Sequence, residues 1–262
     1  MKNLFIFILL SFPGHFVLAQ QIIDSIDVRS SDLNQATLSL SSNALKFSFR
    51  QLIIPTALIG YGVIALRNED LKSFNLSIRD NITEDNHRKL ALDNITQFVP
   101  MASVYALNFL GNKGKHNFKD RTIIMGTAYV LMGSTVFGLK NWTGVERPDG
   151  SAHSSFPSGH TANAFMGAEF LFQEYKDVAP WYGIVGYLVA SGTGYLRMYN
   201  NRHWFSDVAA GAGIGILSTK VAYWIHPWMK EKIFKDKGEK YNFMALPMYD
   251  GKHAGLAFAL YY

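Results

Sequence analysis

Six apolar stretches, at about 52–66, 91–110, 122–139, 160–173, 181–197 and 207–226, recur along a chain of 262 residues. Each is rich in Leu, Ile, Val, Ala and Gly, and each is long enough for a helix. Polar segments separate them, so successive helices run up and down and bury their apolar faces on one another. The fold class this predicts is all-α: a bundle of about six helices, closed by a small C-terminal β-hairpin. The length suffices for one large domain or two small ones, with a real core. No internal repeat or low-complexity tract interrupts the pattern. The 22 glycines cluster in the apolar stretches, which suits close helix packing as well as loops.

The two ends differ from the middle. Lys2, the apolar run Leu4 to Leu10 and the small residues of Val17-Leu18-Ala19 read as an export signal over 1–19, cleaved before Gln20. Residues 20–50 are a polar lead-in, 51–228 the helical domain, and 229–262 a charged segment followed by the hairpin. The hairpin rests on Asp250-Gly251 between two apolar runs, since Asp-Gly supplies the tight turn that joins paired strands. A flap covering the bundle is the expected role. Between the first two apolar stretches lies Arg67 to Lys89, its charges balanced, read as a solvated helix or loop.

Composition narrows the chemistry. The chain has no cysteine, so an exported form has no disulfides and no thiolate metal site. A formal charge of +5 favours anionic partners. The basic residues form no stripe with interleaved aromatics, so no nucleic-acid partner is expected. A membrane span needs about 20 largely apolar residues. The stretch 122–139 comes near this, whereas Glu169 interrupts the fourth stretch and Lys220 the sixth. With a mean hydropathy of +0.04, both a spanning and a peripheral bundle are compatible with the sequence.

Three segments carry reactive side chains, all at the ends of apolar stretches. Lys140-Asn-Trp-Thr-Gly-Val-Glu-Arg147-Pro148 puts two cations seven apart around a loop. Lys is a compact point charge, and Arg is a planar fork for paired phosphate oxygens. Ser155-Phe-Pro157-Ser158-Gly159-His160-Thr161 opens the fourth stretch, with Ser158 as the expected N-cap. Gly159 lets an oxyanion approach the backbone, and unpaired N–H groups at a helix start favour an anion beside His160. Arg197-Met-Tyr-Asn-Asn-Arg-His203-Trp-Phe-Ser206-Asp207 precedes the sixth. His203 and Asp207, four apart, share a face if helical, and a carboxylate on one imidazole nitrogen leaves the other as nucleophile or base. Ser206 is a candidate cap for the last helix. Singly, each segment also reads as ordinary helix-end residues. An up-and-down bundle brings all three to one end, and no metal-ligand spacing competes with them.

Lys-x6-Arg-Pro, Pro-Ser-Gly-His and Arg-x5-His-x3-Asp, in this order, closely resemble the signature of the type 2 phosphatidic acid phosphatase (PAP2) and vanadium haloperoxidase superfamily. The motifs span 140–207, and the surrounding helices extend the resemblance to about 50–226. One departure is Leu196, where the family often has Ser. The resemblance implies that His203 attacks phosphorus to form a phosphohistidine, oriented by Asp207. His160 protonates the leaving oxygen and then activates water. Lys140, Arg147 and Arg197 hold the phosphate oxygens, and Ser158 with the Gly159 backbone completes the cradle. It implies neither a metal nor another cofactor. His153, in the same loop, has no role in the family pattern and reads as a residue at the mouth of the site.

The expected activity is therefore that of a phosphatase acting on a phosphate monoester or pyrophosphate of an envelope lipid. Lipid A, undecaprenyl pyrophosphate, phosphatidylglycerol phosphate and phosphatidic acid are the candidates. A soluble periplasmic acid phosphatase of broad specificity is the close variant, and a vanadium-dependent haloperoxidase the more distant one. The expected location is the cell envelope, membrane-associated, with the site facing the periplasm. Six full spans after a cleaved signal would instead put the motifs inside, against the Lys-rich segments 113–121 and 230–240 at the other end. Nothing in the sequence sets the oligomeric state.

Overall fold

The computed structural model describes residues 48–83, 89–232, 242–249 and 254–261. The expected export signal and most of the lead-in lie outside the described residues. Residues 44–229 form one compact unit. Its elements, after a short turn at Phe49–Leu52, are α1 (Ile53–Ala65), α2 (Glu69–Thr83), α3 (Asp93–Thr96), α4 (Val99–Phe109), α5 (Phe118–Thr143), α6 (Gly159–Tyr175), α7 (Pro180–Tyr199) and α8 (Phe205–Lys232). Every described element of this unit is helical, as expected. In the other unit, Asn242–Tyr249 and Ala254–Tyr261 run as strands.

Among the described residues eight helices stand where about six were expected, for two local reasons. The balanced charged stretch forms α2 over Glu69–Thr83, started by the Asn68 side chain, which accepts the Leu71 N–H at 2.9 Å. The stretch 91–110 divides into α3 and α4, with Pro100 in the first turn of α4, where its missing N–H costs nothing.

The long helices begin and end on recognisable signals. Asn117 caps α5 by accepting the Asp120 N–H at 2.8 Å, and α5 stops at Gly144, which takes the left-handed conformation at φ 57°. Ser158 caps α6, its hydroxyl accepting from the Thr161 N–H, as the sequence predicts. Pro180 starts α7. At α8 the expected cap is different. Ser206 lies inside the first turn, and its N–H goes to Asn75 Oδ1 of α2 at 3.2 Å.

The core runs along α6, which is buried on nearly every turn. Ala162, Met166, Phe170 and Tyr175 pack with Val104 of α4, Ile124, Ala128 and Met132 of α5, and Ile214 and Tyr223 of α8. The charges that interrupt the fourth and sixth apolar stretches meet inside: Lys220 Nζ stands 2.6 Å from Glu169 Oε1. Each charge is thus neutralised by the other, which a buried charge requires.

Among the described residues two helices, α5 and α8, are long and apolar enough to cross a membrane, and the pair α1–α2, bent by 99°, passes the same test together. α5 turns Val130, Phe137 and Trp142 outward, and α7 turns out Ile184 and Leu188. Large apolar side chains exposed in this way suit a lipid surround.

Candidate functional site

The three segments meet at one end of the helices. Lys140 comes from the last turn of α5, Arg147 from the α5–α6 connection, His160 from the first turn of α6, Arg197 from the last turn of α7, and Asp207 from the first turn of α8. A backbone bond ties the second segment to the third, with the Ser158 N–H donating to the Asp207 carbonyl at 3.0 Å.

His203 and Asp207 pair as their spacing suggests, although His203 precedes α8 rather than lying within it. His203 Nδ1 is 3.5 Å from Asp207 Oδ2, and both side chains are almost wholly buried. Asp207 Oδ2 also accepts the Trp204 N–H at 3.0 Å, so the carboxylate reaches back to close the start of α8. Ser155 is fully buried beside this pair. Its hydroxyl donates to Asp207 Oδ2 at 2.5 Å and lies 3.4 Å from His203 Nδ1. Burial pushes the His203 imidazole below its ordinary range, against the opposite pull of Asp207.

His160, on α6, lies close enough to His203 for the two to interact electrostatically. Its Nε2 is 2.9 Å from Asn94 Oδ1. Burial first, then the nearby Arg197, lower its pKa to about 4, so the imidazole is neutral at pH 7. Arg197 is buried against Asp93, to which Nη1 donates, while its Nε has no partner among the described residues. Lys140 Nζ donates to the carbonyls of Ser154 and, at 3.4 Å, Ser155. Arg147, Arg197 and His160 line a cavity of about 410 Å³ together with Lys89, Asp93, Asn94, Asn200 and Arg202.

One expected phosphate contact, Ser158, is engaged elsewhere. Ser158 is fully buried, its hydroxyl spent on the helix cap and its N–H on Asp207. Gly159, half-buried at the helix start, keeps the position expected of it. His153 is exposed in the loop.

Sequence reasoning missed Ser155, Asp93, Asn94, Arg202 and Asp149. One signal for Asp93 was present: it is the sole charged residue of the stretch 91–110. A lone acid in an apolar helix demands a buried partner. Among the described residues, no group of three or more His, Asp or Glu side chains is placed to hold a metal ion.

The model of the PAP2 superfamily matches residues 121–231, which include every motif residue above. These residues form a PAP2 domain. Beyond the domain, the chain is 35% identical over 222 residues to the lipid A 1-phosphatase of Porphyromonas gingivalis, an alignment covering 79% of this chain and 49% of that protein. The chain thus spans about half the length of the curated relative it matches. Among solved structures, LpxE of Aquifex aeolicus aligns at 26% identity and a TM-score of 0.44, over 57% of this chain and 94% of that one. The transmembrane PAP2-type phosphatidylglycerolphosphate phosphatase of Bacillus subtilis aligns at 22% and 0.47, over 70% and 99%. Within the PAP2 domain the three cations and the two histidines come from three helices, α5, α6 and α7, and from the connections that follow α5 and α7.

Proposed function

We propose that this chain is a membrane-associated phosphatase that removes phosphate from an envelope lipid through a phosphohistidine at His203. The observation that carries the reading is the convergence of a buried His–Asp pair, a second histidine at a helix start and three cations on one site. The likeness to a lipid A 1-phosphatase supports a phosphorylated glycolipid as substrate, and the lengths of α5 and α8 support membrane residence.

Asp207 and Ser155 hold the proton of His203 on Nδ1, which leaves Nε2 with its lone pair toward phosphorus. As the N–P bond forms, the bond from phosphorus to the ester oxygen breaks, and that oxygen takes a proton from His160. Water then attacks the phosphohistidine, giving its proton to His160 and releasing phosphate. Arg147, Arg197, Lys140 and the N–H groups at the start of α6 offset the charge that develops on the phosphoryl oxygens. The catalytic unit is residues 51–228, the strands Asn242–Tyr249 and Ala254–Tyr261 pair antiparallel, and the site faces the periplasm.

The test is release of phosphate from lipid A, undecaprenyl pyrophosphate, phosphatidylglycerol phosphate and phosphatidic acid by the purified chain in detergent. A phosphorylated intermediate trapped by acid-free quenching should be absent from His203→Ala, and so should turnover. Turnover undiminished in that variant sinks the mechanism.

A further inference from the structure

The end of α5 opposite Lys140 carries a cationic cavity of its own. It lies where α4 gives way to α5, about a membrane's thickness from Lys140 along the helix. Its volume is about 730 Å³, and Tyr105, Asn108, Lys113, Lys115, His116 and Arg121 are among the residues that line it. No described residue of the lining is acidic. The floor is neutralised from behind by the buried Glu174. Glu174 Oε1 stands 2.7 Å from His116 Nδ1, and Oε2 stands 3.6 Å from Arg121 Nε. Tyr223 donates to the same Oε1 at 2.6 Å. Arg121 Nη2 donates to Asn108 Oδ1 at 2.7 Å and to the His116 carbonyl at 2.6 Å. Asp120, the other acid at this end, turns to His226, whose Nε2 is 3.4 Å from its Oδ1.

Lys113 and Lys115, at the rim, are not answered in this way. Neither has a salt-bridge partner among the described residues, and the nearby Lys176 is offset by Asp177. The connection that presents them is pinned. The Lys115 N–H donates to the Glu174 carbonyl at 3.0 Å, and the His116 N–H donates to Glu174 Oε2 at 3.0 Å. Gly114 permits this approach, since a Cβ there would stand 2.9 Å from Glu174 Oε2. Two ammonium groups are thus held over a cavity whose other charges are already met, and the surplus attracts an anion. Large apolar side chains flank the same rim: Phe109 is 92% exposed, Leu110 73% and Phe118 71%. Phe118 stacks edge-on against Tyr105, with ring centres 6.0 Å apart. Aromatic side chains beside lysines, at the end of a helix long enough to span, are the arrangement of a membrane–water interface. A soluble anion has no use for those apolar groups, whereas a phosphate that carries acyl chains does.

We infer that this cavity seats the phosphodiester headgroup of an anionic phospholipid, held by Lys113 and Lys115, with its acyl chains against Phe109 and Phe118. The lipid is a bound neighbour and not a substrate, because His203 and His160 lie at the other end of the helices. A zwitterionic headgroup brings its own cation toward the two lysines, so the site selects a net negative charge. The bound lipid ties the α4–α5 corner to the headgroup level and so fixes the depth of α5 in the bilayer. The inference rests on the membrane residence proposed above and is independent of the phosphate chemistry.

The experiment places the purified full chain in nanodiscs of equal phosphatidylcholine and phosphatidylglycerol, then extracts it into detergent. Native mass spectrometry identifies the lipids still bound. The unmodified chain should retain phosphatidylglycerol in preference to phosphatidylcholine, and the preference should weaken as salt is raised. It should fall about tenfold to thirtyfold when Lys113→Gln and Lys115→Gln are combined. Neither lysine side chain takes part in the core, so this variant should keep its thermal midpoint. Arg147→Met, which alters the catalytic end, should keep the lipid preference. Loss of the preference in Arg147→Met, or its persistence in the lysine variant, overturns the inference. Displacement of the lipid by glycerol phosphate or inorganic phosphate assigns the cavity to a soluble anion and overturns it equally. A chain that enters the nanodiscs yet retains both lipids alike overturns the lipid site alone. A folded chain that does not enter them overturns the membrane reading, and the site with it.

Discussion

Ser155 donates its hydroxyl proton to Asp207 Oδ2 at 2.5 Å, across 52 positions of sequence, and leaves a lone pair facing His203 Nδ1 at 3.4 Å. A hydroxyl has one proton to give. With that proton directed at Asp207, the oxygen can only accept from His203, so Nδ1 carries hydrogen and Nε2 is free. The Trp204 N–H on the same carboxylate oxygen holds Asp207 in place from its other side.

Ser155→Ala should therefore cut kcat about tenfold to a hundredfold, the cost of a buried carboxylate deprived of a donor, with KM changed little. The carboxylate charge would also be less shared, which favours the imidazolium of His203. The acidic limb of the kcat/KM profile, set by deprotonation of the nucleophile, should move to higher pH. A pH profile of the variant that superimposes on that of the unmodified chain would show Ser155 to be a packing residue only.

How much of this was legible in the sequence depends on how far apart the partners lie. Ser158 as a cap, His203 with Asp207, and the end-of-helix position of Lys140 and Arg197 all follow from spacing within a few residues. Lys220 and Glu169 were visible as interruptions, but their pairing across 51 positions needed the fold. Asp93 on Arg197 and Ser155 on Asp207 were hidden for the same reason, since local periodicity carries no information about which helix ends meet. Ser206 was misread as a cap because its true partner, Asn75, lies 131 positions away in a stretch read as solvent-facing.

Glycine in α8 sets how close the last helix comes to the site. A Cβ on Gly211 would stand 2.5 Å from the Ser158 carbonyl, and one on Gly215 would collide with the Ala162 carbonyl one turn along α6. The Ser158 carbonyl accepts the Ala162 N–H at 3.0 Å in the first turn of that helix. Gly211→Ala and Gly215→Ala should each lower stability by about 1–3 kcal/mol, the usual cost of overpacking. Only Gly211→Ala presses directly on the turn that carries Gly159 and His160. Its kcat, measured well below the thermal transition, should fall by more than that of Gly215→Ala. Equal activity in the two folded variants would show that the α6 start tolerates displacement.

His160 presents a pH dependence whose sign is set by its neighbours. In the free protein its pKa is lowered to about 4, first by burial and then by Arg197. The role of proton donor needs the imidazolium. A bound phosphate dianion favours the imidazolium, and so raises this pKa in the complex. The limb of kcat/KM that reports His160 in the free chain should thus lie at lower pH than the corresponding limb of kcat. Rates measured over the pH range at limiting and at saturating substrate decide this, and coincident limbs would remove His160 from the acid role. Stability has a matching direction. The group is neutral when folded and protonates near 6.5 when unfolded, so its contribution is complete above about pH 6.5 and fades as pH falls toward 4.

Absence of cysteine makes the orientation of the site directly measurable. α5 has 26 residues, about 39 Å at the usual helical rise, so its two ends can lie on opposite sides of a bilayer. His153 is exposed beside the site end, and Lys113 is exposed just before the other end. His153→Cys and Lys113→Cys each introduce one thiol, at positions with no hydrogen-bonding part in the site. With the site facing the periplasm, a membrane-impermeant maleimide should label position 153 in intact cells and position 113 only after permeabilisation. The Lys-rich connection around 113 then sits on the side where positive charge is favoured. The reverse pattern would put the phosphate chemistry in the cytoplasm, and labelling of both positions in intact cells would show that α5 does not cross.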